Sequence, residues 1–274
     1  MFGIRPVDKP SAEDIVLRKV LDRGVDIPAL RALTSAISSA NEPIEVRQSA
    51  IALDANCILR LAAHRDSADV IDFLRTQHSA PLILPGQVIQ EFWNNRFTAV
   101  STMSGKIRNE FEKLKEMVEQ VDPRFGSFGE EFADLLDKFD TDHGYVYEEG
   151  IAQKTSRMLE VLSDRALVPY VRRTYFEDVA LQRNRTKTPP GFRDRNDNNG
   201  DFYVWADLLR GLQLAAKARI PFSNVVFVSE EKKDDWVRDS RPHPILSAEV
   251  LALTSSSFTI VDLPTLIRLV REAS

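Results

Sequence analysis

Cysteine is nearly missing from this chain. Cys57 is the only one, so no intramolecular disulfide can form, and a reducing cytoplasm is the expected setting. It falls in an apolar stretch expected to form a strand, and no histidine adjoins it, so it reads as a small buried hydrophobe rather than a nucleophile. Long apolar runs are missing as well. None approaches the roughly 20 residues that span a bilayer, so no membrane partner is expected. The first residues, "MFGIRPVDKPSAEDIVLRKV", carry no apolar segment behind a basic start, so no secretory signal is expected there. Histidine is scarce: His64, His78, His143 and His243 are scattered without the spacing of zinc ligands. An excess of basic charge is missing too. The net charge is −5, which argues against nucleic-acid binding through a bare basic surface. It leaves room for an acidic cluster that holds metal ions, because the metals then supply the positive charge.

What is present is enough for a sizeable core. The 274 residues are 43% hydrophobic and 28% charged, the balance of a globular chain that forms one large domain or a core with an elaboration. Four short apolar runs, at 51–53, 82–84, 225–228 and 258–261, predict strands. Helical patterns at 68–76, 87–97 and 202–218 lie between them. In the last, Val204, Leu208, Gly211, Leu212 and Ala215 share one face. Strands alternating with helices predict a mostly parallel α/β sheet, and the lack of polar alternation predicts cover on both faces. Residues 1–48 are expected to form an N-terminal helical extension, with Ser11 as N-cap of a helix ending near Gly24. The main domain is expected over 49–274, with a helical insertion at about 105–181 that is a candidate for homodimer contacts. The stretch 184–200 is expected to be a loop around Pro189-Pro190-Gly191.

The acids fall at informative places. In open parallel sheets ligands bind beyond the carboxyl ends of the strands. Asp54 follows the first strand at once. Glu91 lies seven residues after the second, in "LPGQVIQEFW". Asp201 starts the helix that leads into the third, and Glu230 and Glu231 follow that strand. Asp262 follows the fourth. Each has an ordinary reading. Asp54 and Asp262 are suited to capping, Asp201 to an N-cap, Glu91 to a solvated helix face, and Glu230 to Asp235 to a solvated charge run. As a set they repel one another and raise each other's pKa, so their gathering calls for a neutralising cation. All-carboxylate ligation suits Mg²⁺ or Mn²⁺.

Together these motifs resemble the PIN-like nuclease family, and in particular a bacterial branch of it. The likeness is carried by "LDANCIL", by "PGQVIQEFWNNR", by "TPPGFRDRNDNNGDFYVWADLL", by "VSEEKKDDW" and by "RPHPILSAEVL". It covers about 51–265, with 105–181 matched only in character. The resemblance implies a PIN-like three-layer α/β/α sandwich and cleavage of phosphodiester bonds with Mg²⁺ or Mn²⁺, in RNA more often than in DNA. Asp54, Glu91 and Asp201 match three acidic positions. The fourth falls in the Glu230–Glu231 pair, with Glu231 closer by spacing. There the family usually has Asp, and Ser229 stands where it has Thr. One extra methylene moves a carboxylate by about 1.5 Å, which bears on the choice between Mg²⁺ and Mn²⁺.

On this basis Asp54, Asp201 and Glu230 or Glu231 are expected to hold metal, while Glu91 binds metal or orients the attacking water. Asp194 matches an acid of the family's Pro-Pro-Gly motif, as a secondary ligand or an orienter of arginines. Asp235 and Asn56 are further candidates beside the site. Arg183, Arg185, Lys187, Arg193 and Arg195 make the preceding loop basic, which suits gripping of a phosphate backbone. Lys232 and Lys233 are expected to reach substrate phosphates or to screen the acids. Trp205 is expected in the core. Two rivals stand beside a nuclease. One is a catalytically inactive PIN-like module that binds RNA or protein. The other is a phosphatase or phospho-acceptor domain, which "DANC" disfavours because Asn56 stands where a second acid is needed.

Overall fold

The computed structural model describes residues 9–38, 43–64, 66–94, 153–193, 199–239 and 241–273, with scattered positions between 110 and 135. About half of the block expected as a helical insertion, together with Asp194 and Arg195, lies outside the described residues.

Five parallel strands form the central sheet: β1 (Ser49–Leu53), β2 (Leu82–Ile83), β3 (Ala166–Leu167), β4 (Asn224–Val228) and β7 (Ser257–Val261), in the order β3-β2-β1-β4-β7. Leu53 is in register with Val228, and Val228 with Val261. From Ala50 to Leu53 and from Val225 to Val228 no residue is more than 1% exposed. Helices therefore cover both faces, as the absence of polar alternation predicts. On one side α3 (Ala55–Ala63), α4 (Ser67–Thr76) and α10 (Leu263–Ala273) pack together. On the other lie α1 (Ala12–Leu21), α7 (Arg173–Arg185), α8 (Gly200–Lys217) and α9 (Pro244–Thr254), with α2 (Ala29–Ile37) against α9. Helix α5 is described over 86–94 and α6 over 153–165. The fold is a three-layer α/β sandwich.

The strand order fixes where a ligand can sit. From β1 the chain builds outward through β2 and β3, then returns to place β4 and β7 on the other side. The reversal leaves a crevice beyond the carboxyl ends of β1 and β4, where open α/β sheets bind ligands. Helix α8 runs against the strands and brings its N-terminus to that edge. Its face holding Val204, Leu208, Leu212 and Ala215 is buried. At Gly211 a side chain would meet Ile83 Cγ2 at 2.7 Å, so glycine lets the helix lie close on the sheet.

Several expectations are corrected. Residues 166–181 belong to the core as β3 and the start of α7, whereas the sequence pattern extends the insertion to 181. A two-residue strand stopped by Pro169 has no periodicity to betray it. A short antiparallel hairpin, β5 (Val237–Arg238) with β6 (Arg241–Pro242), follows the acidic run. Cys57 lies in α3, not in a strand, and burial pushes its thiol pKa well up. Helix α7 extends to Arg185, so the loop begins later than 184.

The N-terminal helices are tied into this core. Ser11 caps α1 in a reciprocal pair with Asp14. Leu17 and Leu21 are at most 1% exposed. Arg23 donates to the buried Glu249 carboxylate of α9 at 2.6 Å, which also receives Arg183 at 2.7 Å and Trp205 Nε1 at 2.6 Å. Trp205 is in the core, as expected. Among the described residues no helix is long and apolar enough to cross a membrane.

Candidate active site

Three distant segments meet at the crevice. The first is the end of β1, where Asp54 is the N-cap of α3. Its carboxylate accepts the Ala55 amide at 2.7 Å and the Ser229 hydroxyl at 3.0 Å. A cap and a site residue are here the same side chain. The second segment is the first turn of α8. Asn199 occupies the N-cap position, so the N-cap expectation for Asp201 is not met. Asp201 instead accepts Trp236 Nε1 at 3.0 Å and the Lys233 ammonium at 3.4 Å. The third is the turn after β4. There Glu231 curls back so that Oε1 accepts the amides of Lys232 at 2.8 Å and Lys233 at 3.0 Å, while Oε2 pairs with Lys233 Nζ at 3.0 Å. The Glu231 amide in turn donates to Ser229 Oγ at 3.1 Å.

Asp54, Asp201 and Glu231 thus line one small cavity, of about 20 Å³, with Ser229, Val204, Phe227 and Trp236. Burial pushes the Asp54 carboxyl up to about 6, against the hydrogen bonds from Ser229 and Ala55, and the charges of Asp201 and Glu231 push the same way as burial. Burial also raises the Glu231 carboxyl, but the Lys233 ammonium and the two backbone amides outweigh it and hold the net value low. The cation that offsets the local repulsion is Lys233, which pairs with Glu231 and Asp201.

The remaining expected residues are placed as follows. Glu230 turns away from the cavity, to Arg60 at 3.1 Å and the Leu263 amide at 3.3 Å. Glu91, on α5, accepts from Gln87 Nε2 at 3.1 Å and does not line the cavity. Asn56 is exposed on the first turn of α3, and Lys232 is exposed. Asp235 is not part of a solvated run: it is 0% exposed, and its Oδ2 accepts the amides of Gly191 at 2.9 Å and Arg193 at 3.1 Å. That pins the Pro-Pro-Gly turn beside the site. Gly191 has φ 94°, a conformation that favours glycine. The Arg193 side chain is exposed, outside the core. Arg183, expected among the phosphate-gripping residues, is buried against Glu249 and is not available for that role. Asp262 caps α10 through the Thr265 amide at 2.9 Å, as its ordinary reading holds.

Sequence reasoning misses two parts of this site. Trp236 is only the end of a motif in the sequence, yet its indole holds Asp201. Ser229 is only a variant of Thr, yet it ties Asp54 to the Glu231 turn. A third omission lies beside the site: buried Asp207 on α8 accepts the amides of Gln87 and Val171 at 2.9 and 2.8 Å and two bonds from Arg173. It thereby fixes the start of α5, the helix that carries Glu91.

Among the described residues no set of three His, Cys, Asp or Glu side chains is arranged to hold a metal ion as it stands. The donor chemistry nonetheless suits a hard cation, since all three lining acids offer oxygen. An ammonium group already bridges two of them, so the cavity's charge accepts a cation.

No curated protein and no solved structure matches the chain. The model of the PIN-like domain family matches residues 50–135 and 151–251, a span that includes Asp54, Glu91, Asp201, Ser229, Glu231 and the whole cavity. With well over half of its length matched, the chain belongs to the PIN-like domain family.

Proposed function

We propose that this protein is a metal-dependent nuclease, an endoribonuclease that hydrolyses phosphodiester bonds in RNA in preference to DNA. The observation that carries the reading is the convergence of Asp54, Asp201 and Glu231, from three distant segments, on one cavity at the switch point of the sheet. Asp54, Asp201 and Glu231 would hold Mg²⁺ or Mn²⁺. Such an ion, when bound, stabilises charge on the phosphoryl oxygens and activates the attacking water. The chain's own groups do the rest. Ser229 and the Ala55 amide orient Asp54 and Trp236 orients Asp201, while Glu91, on α5 and outside the cavity lining, would orient water or help hold a second ion. Arg193 on the pinned loop contacts the phosphate backbone.

The test is direct. Purified protein is incubated with labelled RNA and DNA, single- and double-stranded, in Mn²⁺ or Mg²⁺, beside Asp54→Asn and Asp201→Asn. Cleavage of RNA by the wild type and its loss in both variants supports the reading. Full activity in both variants refutes it. A second reading, an inactive PIN-like module that binds RNA or protein, draws on the engagement of Glu231 by Lys233 and two amides. Calorimetric titration with Mn²⁺ separates the two, since the inactive module takes up no ion.

A further inference from the structure

We propose that Lys233 sets how tightly this site takes a divalent ion, because the ion enters by exchange for the Lys233 ammonium; this rests on the metal-dependent reading above. Lys233 Nζ lies 3.0 Å from Glu231 Oε2 and 3.4 Å from Asp201 Oδ2. It therefore bridges two of the three acids that line the cavity. The inner sides of those acids are already engaged. Glu231 Oε1 carries two backbone amides, Asp201 Oδ2 carries the Trp236 indole, and the Asp54 oxygens carry Ala55 and Ser229. The oxygen of Glu231 left for an ion is the one that Lys233 holds.

Two cations on one carboxylate oxygen repel each other, and at about 4 Å the repulsion is felt more where water is scarce. The ion and the ammonium therefore compete for this oxygen, and the apparent affinity is lowered by the strength of the contacts broken when the ammonium leaves. The geometry allows that release. Lys233 is 37% exposed on a flexible four-carbon stem, and it is not among the residues that line the cavity.

The experiment is a calorimetric titration of Mn²⁺ into wild type, Lys233→Met, Lys233→Arg and Asp201→Asn, with circular dichroism to check that each is folded. Lys233→Met keeps the stem and removes the charge, and it is expected to bind Mn²⁺ about tenfold more tightly than wild type. Lys233→Arg keeps a cation in place and is expected to remain within about threefold of wild type. As a second readout, acylation of Lys233 in the wild type, followed by peptide mass spectrometry, is expected to rise with added Mn²⁺ and not to change in Asp201→Asn. Equal or weaker Mn²⁺ binding by Lys233→Met, with wild-type binding intact, overturns the exchange while leaving the metal reading standing. Absence of Mn²⁺ binding in both proteins overturns the metal reading and the exchange with it.

Discussion

Ser229 donates its hydroxyl to Asp54 Oδ2 at 3.0 Å and accepts the Glu231 amide at 3.1 Å. One short side chain thus joins the end of β1 to the turn after β4, and holds two of the three cavity acids in relation to each other. Ser229→Ala removes both bonds and leaves the half-buried Asp54 with one donor fewer. The expected cost is about 1 to 2 kcal/mol of stability and a loss of cleavage rate of about tenfold or more. Ser229→Thr keeps the hydroxyl and is expected to retain both. Urea unfolding and single-turnover cleavage measure the two effects, and an alanine variant as fast as wild type would show that this bridge does not position Asp54.

How much of the molecule is legible in its sequence depends on the kind of signal each element leaves. The strands at 51–53, 82–84, 225–228 and 258–261 are apolar runs, and each is found within a residue or two. Asp54, Asp201 and Glu231 are legible because a parallel sheet sends the residue after each strand, and the start of each preceding helix, to one edge. The spacing of the resemblance favours Glu231 over Glu230, but the physical difference between them is not in the sequence. Their directions are set by local turn bonds, with Glu231 curling onto its own following amides and Glu230 meeting Arg60. The buried acids Asp207, Asp235 and Glu249 escape such a reading because their partners lie far away in the chain. Glu249 does leave a trace: it is the one charge in the apolar helix "PILSAEVLALT", and an acid in such a helix needs buried cationic or N–H partners.

Asp54 makes stability depend on pH in an unusual direction. Its carboxyl is raised from 3.8 to about 6, so between these values the folded protein holds a proton that the unfolded chain has lost. Stability contributed by this group is therefore full below pH of about 4 and is lost as pH rises through about 6. Asp54→Asn removes the charge and is expected to be more stable than wild type at pH 7, by about 1 to 3 kcal/mol. The difference should fade toward pH of about 4. Urea unfolding across that range checks it, and a difference that grows on acidification would contradict the burial of this carboxylate. Added Mn²⁺ should shrink the gap at pH 7 by stabilising the wild type alone.

The anchoring of the N-terminal helices predicts a large effect far from the cavity. Glu249 is 0% exposed and receives Arg23, Arg183 and Trp205. Glu249→Ala leaves Arg183 buried and uncompensated, with an expected cost of about 3 to 5 kcal/mol. Arg23→Ala removes a donor that is one-third exposed, and about 1 kcal/mol is expected. Thermal or urea unfolding of the two variants gives the comparison. A cost below about 1 kcal/mol for Glu249→Ala would mean that this carboxylate does not hold the layer together.

Asp235 links the acidic turn to the basic loop, and its effect should appear in substrate binding before it appears in turnover. Its Oδ2 holds the Gly191 and Arg193 amides. Arg193, immediately at the pinned position, is exposed, and its guanidinium lies 3.9 Å from the exposed Asp234 carboxylate. Asp235→Ala frees both amides. The arginine then samples a wider volume, and the entropy of reordering it falls on substrate binding. KM for RNA is expected to rise by about fivefold to tenfold with kcat changed less than about threefold. The slope of log affinity against log salt should fall, because fewer phosphates are neutralised. Asp235→Asn keeps a side-chain carbonyl acceptor for the amides and should lie between the alanine variant and wild type. A variant that instead loses kcat at unchanged KM would place Asp235 with the metal-holding acids rather than with the loop, so the kinetic split itself decides which of its two neighbours this buried carboxylate serves.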